Sequence, residues 1–203
     1  MDKLDIKLSL LVGVIIAILS FGILKNFGLQ AKWVYFIWPI LLPFLCLAGM
    51  WVAYQISKKI PFILQAAKFA LVGAVNTVVD LGVLNLLILF TQITSGIYFS
   101  VFKGISFLVA VTNSYFWNKF WAFKKRGEAK AQTPEAKSKE FSQFMIVSIV
   151  GFLLNLGIAA FVVNIVGPQF GLNAKIWANM GAVAGTLFVM VWNFLGYKFI
   201  VFK

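Results

Sequence analysis

Six long apolar runs, separated by short polar segments, constrain what this chain can fold into. A transmembrane α-helix needs about 20 predominantly apolar residues to cross a hydrocarbon core about 30 Å thick. The chain is 62% hydrophobic and only 12% charged, with a mean hydropathy of +0.94, which is typical of membrane proteins. We therefore expect an all-α polytopic membrane protein with six transmembrane helices. The runs cover residues 8–24, 33–56, 69–90, 98–117, 141–166 and 176–197.

The composition and the segments between the runs exclude several classes of function. The longest polar segment, residues 124–140, is too short for a folded domain, and we expect a flexible or partly helical connector there. An ordinary catalytic domain is therefore excluded, so we expect no enzyme. The sequence has no His, a single Cys (Cys46) and no Walker-type phosphate loop. We expect no metal, no other cofactor and no intrachain disulfide, and any transport would use a gradient or a partner's energy.

The distribution of basic residues predicts the orientation of the chain in the membrane. The net charge is +12, and in a six-helix arrangement 14 of the 18 Lys and Arg fall on one side. Short loops rich in Lys and Arg stay cytoplasmic, so we expect both termini to be cytoplasmic. The basic side would attract anionic membrane lipids at about 1 kcal/mol per charge near the surface, and we expect no nucleic-acid partner. The four basic residues on the other side are Lys25, Lys32, Lys103 and Lys175.

The first run has a second interpretation, because residues 8–24 follow Lys3 and Lys7 as the apolar part of a signal peptide would. No small-x-small cleavage site follows the run, so we expect it to remain as a helix. The topology of the other helices would be the same in either case.

A sequence repeat predicts how the last four helices are organised. The segment FALVGAVNTVVDLGVLNLLI, residues 69–88, aligns with FMIVSIVGFLLNLGIAAFVV, residues 144–163, which places Asp80 opposite Asn155. The helices that follow end alike, in NKFWAFK (118–124) and YKFIVFK (197–203), at an offset of 79. Ser106 and Asn113 match Thr186 and Asn193 only at an offset of 80, and chance similarity between apolar helices is the alternative. The repeat predicts a four-helix core of two parallel hairpins about an axis along the membrane normal.

The first two runs have no counterpart in the repeat. We expect residues 1–60 to form an N-terminal transmembrane hairpin that packs as an accessory on the domain formed by residues 61–203. Pro39 and Pro43 predict a kink in the second helix, as membrane helices tolerate. An aromatic belt at the outer membrane interface is predicted for Trp33, Tyr35, Phe36 and Trp38.

Each of the four core helices carries a narrow polar stripe at helical spacing, so that its members share one face. Lipid cannot satisfy an amide, so the stripes are expected to point inward. Two interpretations are open: hydrogen bonds that hold the helices together, and a polar cavity. The four stripes together with a carboxylate favour the cavity. The stripes are Gly73, Asn76 and Asp80; Ser106 and Asn113; Ser148 and Asn155; and Thr186 and Asn193.

Asp80 lies near the middle of an otherwise uncharged apolar run. An ionised group at that depth costs roughly 2.5–3.5 kcal/mol on insertion scales, and such acids usually mark a pathway or a buried pair. Asp80 lies about 18 Å up its helix from Lys68, and Lys103 about 6 Å down the next helix from the opposite side, so their depths differ by only about 6 Å. An Asp80–Lys103 pair, a protonated Asp80 and a Lys103 that extends to the outer surface all remain open.

The repeated helix ends carry a basic residue at matching positions, Lys119 and Lys198. One interpretation is a positive-inside anchor. The other is a cationic mouth for an anionic headgroup, since Lys and Arg cancel the charge of a phosphate as it leaves water. Asn118, directly before Lys119, is a candidate for the same mouth.

At these residues the chain resembles the GtrA-like family of small polytopic membrane proteins. The matching elements are KFALVGAVNTVVDLGVLNLL, ISFLVAVTNSYFWNKFWAFK, FMIVSIVGFLLNLGIAAFV and NFLGYKFIVFK, over residues 69–203. The N-T-x-x-D and N-K-F-W-x-F elements stand in order on the expected helices. The family core has four spans, so this chain departs from it by the extra N-terminal pair.

The resemblance implies translocation of an undecaprenyl-phosphate-linked monosaccharide across the bacterial inner membrane, for modification of surface polysaccharide or lipopolysaccharide. It implies a polyprenyl-phosphate sugar lipid as substrate, and a membrane glycosyltransferase is a candidate partner. The alternatives are a non-transporting subunit that anchors a glycosyltransferase and a small proton-coupled exporter, and a homodimer remains open. The candidate substrate-binding residues are Asn76, Asp80, Lys103, Asn113, Asn118, Lys119, Asn155, Asn193 and Lys198.

Overall fold

The structure is a computed structural model that describes residues 1–26, 32–93, 95–124, 133–171 and 174–202. The middle of the predicted connector at 124–140 lies outside the described residues, while its last part is helical. Over the described residues the chain forms six α-helices and no strand, which confirms the all-α prediction. The helices are α1 (Lys3–Asn26), α2 (Lys32–Ser57), α3 (Phe62–Thr91), α4 (Gly96–Trp117), α5 (Pro134–Ala160) and α6 (Ala174–Gly196).

Four helical stretches in the described part of the chain are long and apolar enough to cross a membrane. They belong to α2, α3, α5 and α6, so the chain is a polytopic membrane protein. Spanning by α1 and α4 stays a prediction. The four stretches are Trp33–Ser57, Phe62–Thr91, Pro134–Val166 and Val183–Val201.

The chain forms two compact units, Met1–Lys124 and Lys125–Lys203. In the first unit α1 packs on α2 and α3, α2 packs on α3, and α3 packs on α4. In the second unit α5 packs on α6. The N-terminal helix pair therefore packs on α3, and its predicted packing on a four-helix core stays a prediction. The predicted domains, residues 1–60 and 61–203, divide the chain differently and stay a prediction.

Close backbone contact joins α1 to α2. A Cβ atom built on Gly13 would lie 2.3 Å from the Pro43 Cα, so only glycine fits there. Nearer the other end of the pair, the Trp38 indole N–H donates to the Ser20 hydroxyl over 2.9 Å. Trp38 is thus partly buried between the helices, whereas Phe36, with 77% of its surface exposed, suits the predicted aromatic belt. Pro43 lies inside the continuous helix α2, where the predicted kink stays a prediction.

Two helices continue into short π-helical segments at matching places in the repeat. These segments are Asn118–Ala122 after α4 and Tyr197–Val201 after α6. In each case the backbone N–H of the following residue, Phe123 or Phe202, donates to the carbonyl oxygen of the first segment residue over 2.8 Å. The two segments begin at Asn118 and Tyr197, which is the offset of 79 at which the terminal motifs align. A third π-helical segment, Phe161–Val166 after α5, has no π-helical counterpart at the end of α3.

Ring contacts support the same repeat. Phe69 on α3 meets Phe123 edge-on with ring centroids 6.1 Å apart. Phe144 on α5 meets Phe202 with centroids 6.2 Å apart. The alignment pairs these phenylalanines with each other, so each hairpin closes its end with an equivalent aromatic contact. The predicted arrangement of the two hairpins about a common axis stays a prediction.

Candidate functional site

A charged cluster lies between α3 and α4 inside the first unit. The Lys103 ammonium forms an ion pair with Asp80 Oδ2, and the Ser106 hydroxyl donates to Asp80 Oδ1 over 2.6 Å. Ser106 is fully buried. Of the three arrangements that the sequence leaves open for Asp80 and Lys103, the structure shows the ion pair.

The two side chains of the pair differ in exposure. The Asp80 side chain is 23% exposed and the Lys103 side chain 46% exposed. The carboxylate is therefore the more enclosed member of the pair, held by both Lys103 and Ser106, and the ammonium lies nearer the surface of the hairpin.

The second hairpin holds an uncharged version of this cluster. Asn155 Nδ2 donates to the Thr186 hydroxyl over 3.5 Å, a long hydrogen bond. The repeat pairs Asp80 with Asn155 and Ser106 with Thr186, so the same contact occurs in both hairpins. The position that corresponds to Lys103, at the offset of 80, is Val183. Of these two equivalent clusters, therefore, only the one in the α3–α4 hairpin carries charge.

Four amide side chains each bury one polar atom that has no hydrogen-bond partner within the described part of the chain. Buried polar atoms are nearly always satisfied, by protein or by bound water or ligand. These atoms are therefore candidates for contact with a hydroxyl-bearing ligand. They are Asn76 Oδ1, Asn113 Nδ2, Asn118 Oδ1 and Asn193 Oδ1.

Packing in the second hairpin explains the position of one of these amides. A Cβ atom built on Gly151 of α5 would lie 2.5 Å from Asn193 Oδ1 on α6. The repeat pairs Gly151 with Asn76 and Asn193 with Asn113. A glycine thus makes room for the amide in the second hairpin, whereas the first hairpin has an amide at both positions.

The two basic residues of the helix ends lie over aromatic rings. Lys119 Nζ is 5.4 Å from the Tyr115 ring centroid and donates to its hydroxyl over 3.0 Å. Lys198 Nζ is 5.7 Å from the Phe194 centroid and 5.4 Å from that of Phe199. The residue four positions earlier is aromatic in both hairpins, so the ring holds the ammonium in place.

Two other predicted residues form hydrogen bonds within their own hairpin. Asn118 is fully buried, and its Nδ2 donates to the Ser114 carbonyl over 2.8 Å. Ser148 forms a hydrogen bond of 2.8 Å with the Tyr197 hydroxyl, and the Tyr197 ring stacks on Phe144 at 4.3 Å. For Ser148, the interpretation of the stripe as helix–helix hydrogen bonding is confirmed.

The sequence did not predict a second charged cluster, which joins α1 to the α3–α4 hairpin. The Asp5 carboxylate is 4% exposed, and its Oδ1 accepts from Lys68 Nζ at 2.6 Å and from the Trp121 indole N–H at 3.0 Å. The sequence analysis counted Lys68 only as one of the basic residues at the membrane surface. The repeat did contain a signal for this contact: its second copy has Ile200 at the position of Trp121, so the indole N–H is particular to the first hairpin.

Over residues 1–26, 32–93, 95–124, 133–171 and 174–202, no three His, Cys, Asp or Glu side chains come together as metal ligands would.

These observations define a polytopic α-helical membrane protein with a charged cluster inside one hairpin and basic residues at its helix ends. The profile of the GtrA/DPMS transmembrane domain matches residues 68–202, well over half of the chain. The chain belongs to this family, which confirms the resemblance, and the family is a non-catalytic one associated with the handling of lipid-linked sugars. No curated protein and no solved structure matches the chain significantly.

Proposed function

We propose that this chain translocates a polyprenyl-phosphate-linked monosaccharide across the bacterial inner membrane, as a transporter and not as an enzyme. The observation that carries the proposal is the Asp80–Lys103–Ser106 cluster, which lies in an apolar hairpin inside the family domain. Undecaprenyl phosphate is the carrier lipid in this proposal, and the sugar serves cell-surface polysaccharide or lipopolysaccharide.

The chemistry of such a substrate sets three requirements. Its isoprenoid tail needs lipid, its phosphate needs a cation, and its sugar hydroxyls need hydrogen-bonding groups. Lys103 can supply the cation, because its ammonium is the more exposed member of the pair. Asn76 and Asn113 can bind hydroxyls through the buried amide atoms that have no hydrogen-bond partner among the described residues.

The remaining candidate residues are assigned in the same proposal. Lys119 and Lys198 receive the phosphate at the cytoplasmic side, which rests on the predicted orientation with both termini inside. Asn118 contributes its buried Oδ1 near Lys119. Within the second hairpin, Asn155 and Asn193 are proposed as uncharged hydrogen-bonding groups for a sugar.

A non-transporting subunit that anchors a membrane glycosyltransferase is the second candidate function. The hydrogen bond between Ser148 and Tyr197 favours it, because one member of a polar stripe is already engaged in contact within its own hairpin. The two functions differ in what the Asp80–Lys103 pair must do.

Removal of the Asp80 charge distinguishes these two candidate functions when the variant is tested in the native host. Asp80→Asn keeps the size of the side chain and removes its negative charge. We expect normal abundance in the membrane and loss of surface glycosylation. The control is Asn85→Ala on the same helix, since Asn85 is exposed and bonds only to the Leu81 carbonyl among the contacts of the described residues.

The double variant Asp80→Asn/Lys103→Gln completes the experiment. It leaves no unpaired charge, so a purely structural pair would be dispensable and glycosylation would return. We expect the double variant to stay inactive because the phosphate has lost its cation. Full glycosylation from a well-expressed Asp80→Asn variant would overturn the proposed role of the acid.

A further inference from the structure

Lys68 and Trp121 form a small donor site at one end of the α3–α4 hairpin. Both donate to a single carboxylate oxygen, Asp5 Oδ1, at 2.6 and 3.0 Å. The Lys68 side chain is 16% exposed and Trp121 is 3% exposed, so the site is enclosed by protein. An ammonium and an indole N–H that converge on one oxygen are suited to any compact oxyanion.

The acid and the two donors come from different parts of the chain. Lys68 and Trp121 lie within the matched family domain, residues 68–202, whereas Asp5 lies on α1, outside it. The second hairpin has Gln143 and Ile200 at the corresponding positions, and therefore neither the ammonium nor the indole N–H. The acid of α1 thus fills a site that the first hairpin possesses and the second lacks.

We propose that Lys68 and Trp121 form a binding site for a phosphate group, and that α1 occupies this site with its own Asp5 carboxylate. The N-terminal helix thus acts as an internal competitor of the phosphate. Removal of the Asp5 carboxylate weakens this competition. A lipid headgroup and free phosphate share this chemistry. Lys68 belongs to the predicted basic side of the chain, where anionic headgroups concentrate. The proposal uses neither Asp80 nor any transport step.

The test counts phospholipids on the purified full chain by native mass spectrometry, with phosphatidylglycerol and phosphatidylcholine as probes. For Asp5→Asn we expect about tenfold tighter retention of phosphatidylglycerol, because the neutral amide competes less well than the carboxylate for Lys68. Phosphatidylcholine also carries a phosphate but has no net charge, and its retention should change less. A second arm adds inorganic phosphate. Displacement of the lipid by phosphate at equal concentration indicates a soluble ligand, and resistance to displacement indicates the headgroup.

Three variants make the result decisive. Asp2→Asn removes the same charge from the same end of the chain at an exposed residue, and it should leave retention unchanged. Asp5→Asn/Lys68→Gln and Asp5→Asn/Trp121→Phe should each lose the gain. If Asp5→Asn does not purify, the smaller Asp5→Ser takes its place. Wild-type retention in a folded Asp5→Asn protein would overturn the proposal, as would a gain that persists without Lys68.

Discussion

At the scale of single residues, substitution of a buried amide can distinguish a role in substrate binding from a role in stability. Asn76→Leu keeps the branched shape and the number of heavy atoms of the side chain, and removes the Oδ1 atom that has no hydrogen-bond partner among the described residues. Because an unsatisfied buried acceptor costs about 1–3 kcal/mol, its removal should leave the unfolding temperature unchanged or raise it. Transport of a sugar lipid should fall. Thermal unfolding in detergent, measured beside the transport assay, checks both expectations, and a large loss of stability would show that Asn76 has a structural role.

The basic residues at the helix ends make a second prediction at this scale. Lys119→Gln and Lys198→Gln, made singly, should impair transport through lost attraction for phosphate, with little change in abundance. Arg at either position keeps the charge and should retain part of the activity. Lys59→Gln is the control, since Lys59 is an exposed basic residue in the α2–α3 turn. Equal effects of all three Gln variants would indicate only a general need for surface charge.

The sequence predicted some of these contacts and missed others for a physical reason. Position along a helix gives depth, so Asp80 and Lys103 could be matched across two adjacent helices of known direction. Depth does not give the rotation of a helix or its neighbours. The contact of Asp5 with Trp121 joins residues 116 positions apart, and it could not be derived without the packing of α1 on the hairpin.

At the scale of elements, the α5–α6 hairpin depends on glycines that let the two helices approach. A Cβ atom built on Gly181 would lie 2.8 Å from Val163 Cγ2, and one on Gly185 would lie 2.9 Å from the Asn155 carbonyl oxygen. Four-residue spacing of small residues is typical of close contacts between membrane helices. The helices and their polar stripes could be predicted from the sequence, but this contact face could not. The π-helical ends were not predicted either. A change of the backbone hydrogen bonds from i→i+4 to i→i+5 hardly alters the spacing of apolar residues over so short a segment.

Gly185→Ala tests this contact. Its Cβ would press on a backbone oxygen, so we expect a loss of about 1–3 kcal/mol from overpacking. Gly157→Ala on α5 is the matched control, because a Cβ atom there meets nothing within 4 Å. That change should be neutral or stabilise the helix by up to about 1 kcal/mol. Thermal unfolding of the two purified variants compares them directly, and equal midpoints would contradict the close approach of α6 to α5.

At the scale of the whole molecule, orientation in the membrane decides which helix ends face the cytoplasm. The unequal distribution of the 18 basic residues predicts that both termini and the start of α5 lie inside. Cys46 is the only cysteine in the sequence, so a Cys46→Ala background permits single-cysteine labelling. In intact cells an impermeant thiol reagent should label Ser95→Cys, between α3 and α4, and should miss Ser138→Cys until the membrane is opened. The reverse pattern would invert the orientation and the assignment of Lys119 and Lys198.

The most direct test of the proposed function is leaflet exchange by the purified chain in liposomes. A polyprenyl-phosphate sugar carrying a label is placed in both leaflets, and a reagent confined to the outside measures how much of it becomes accessible. We predict rapid exchange with the wild-type chain alone, and a rate close to that of protein-free liposomes with Asp80→Asn. If the folded wild-type chain gave no exchange above protein-free liposomes, transport by this chain would be contradicted and the anchoring function favoured.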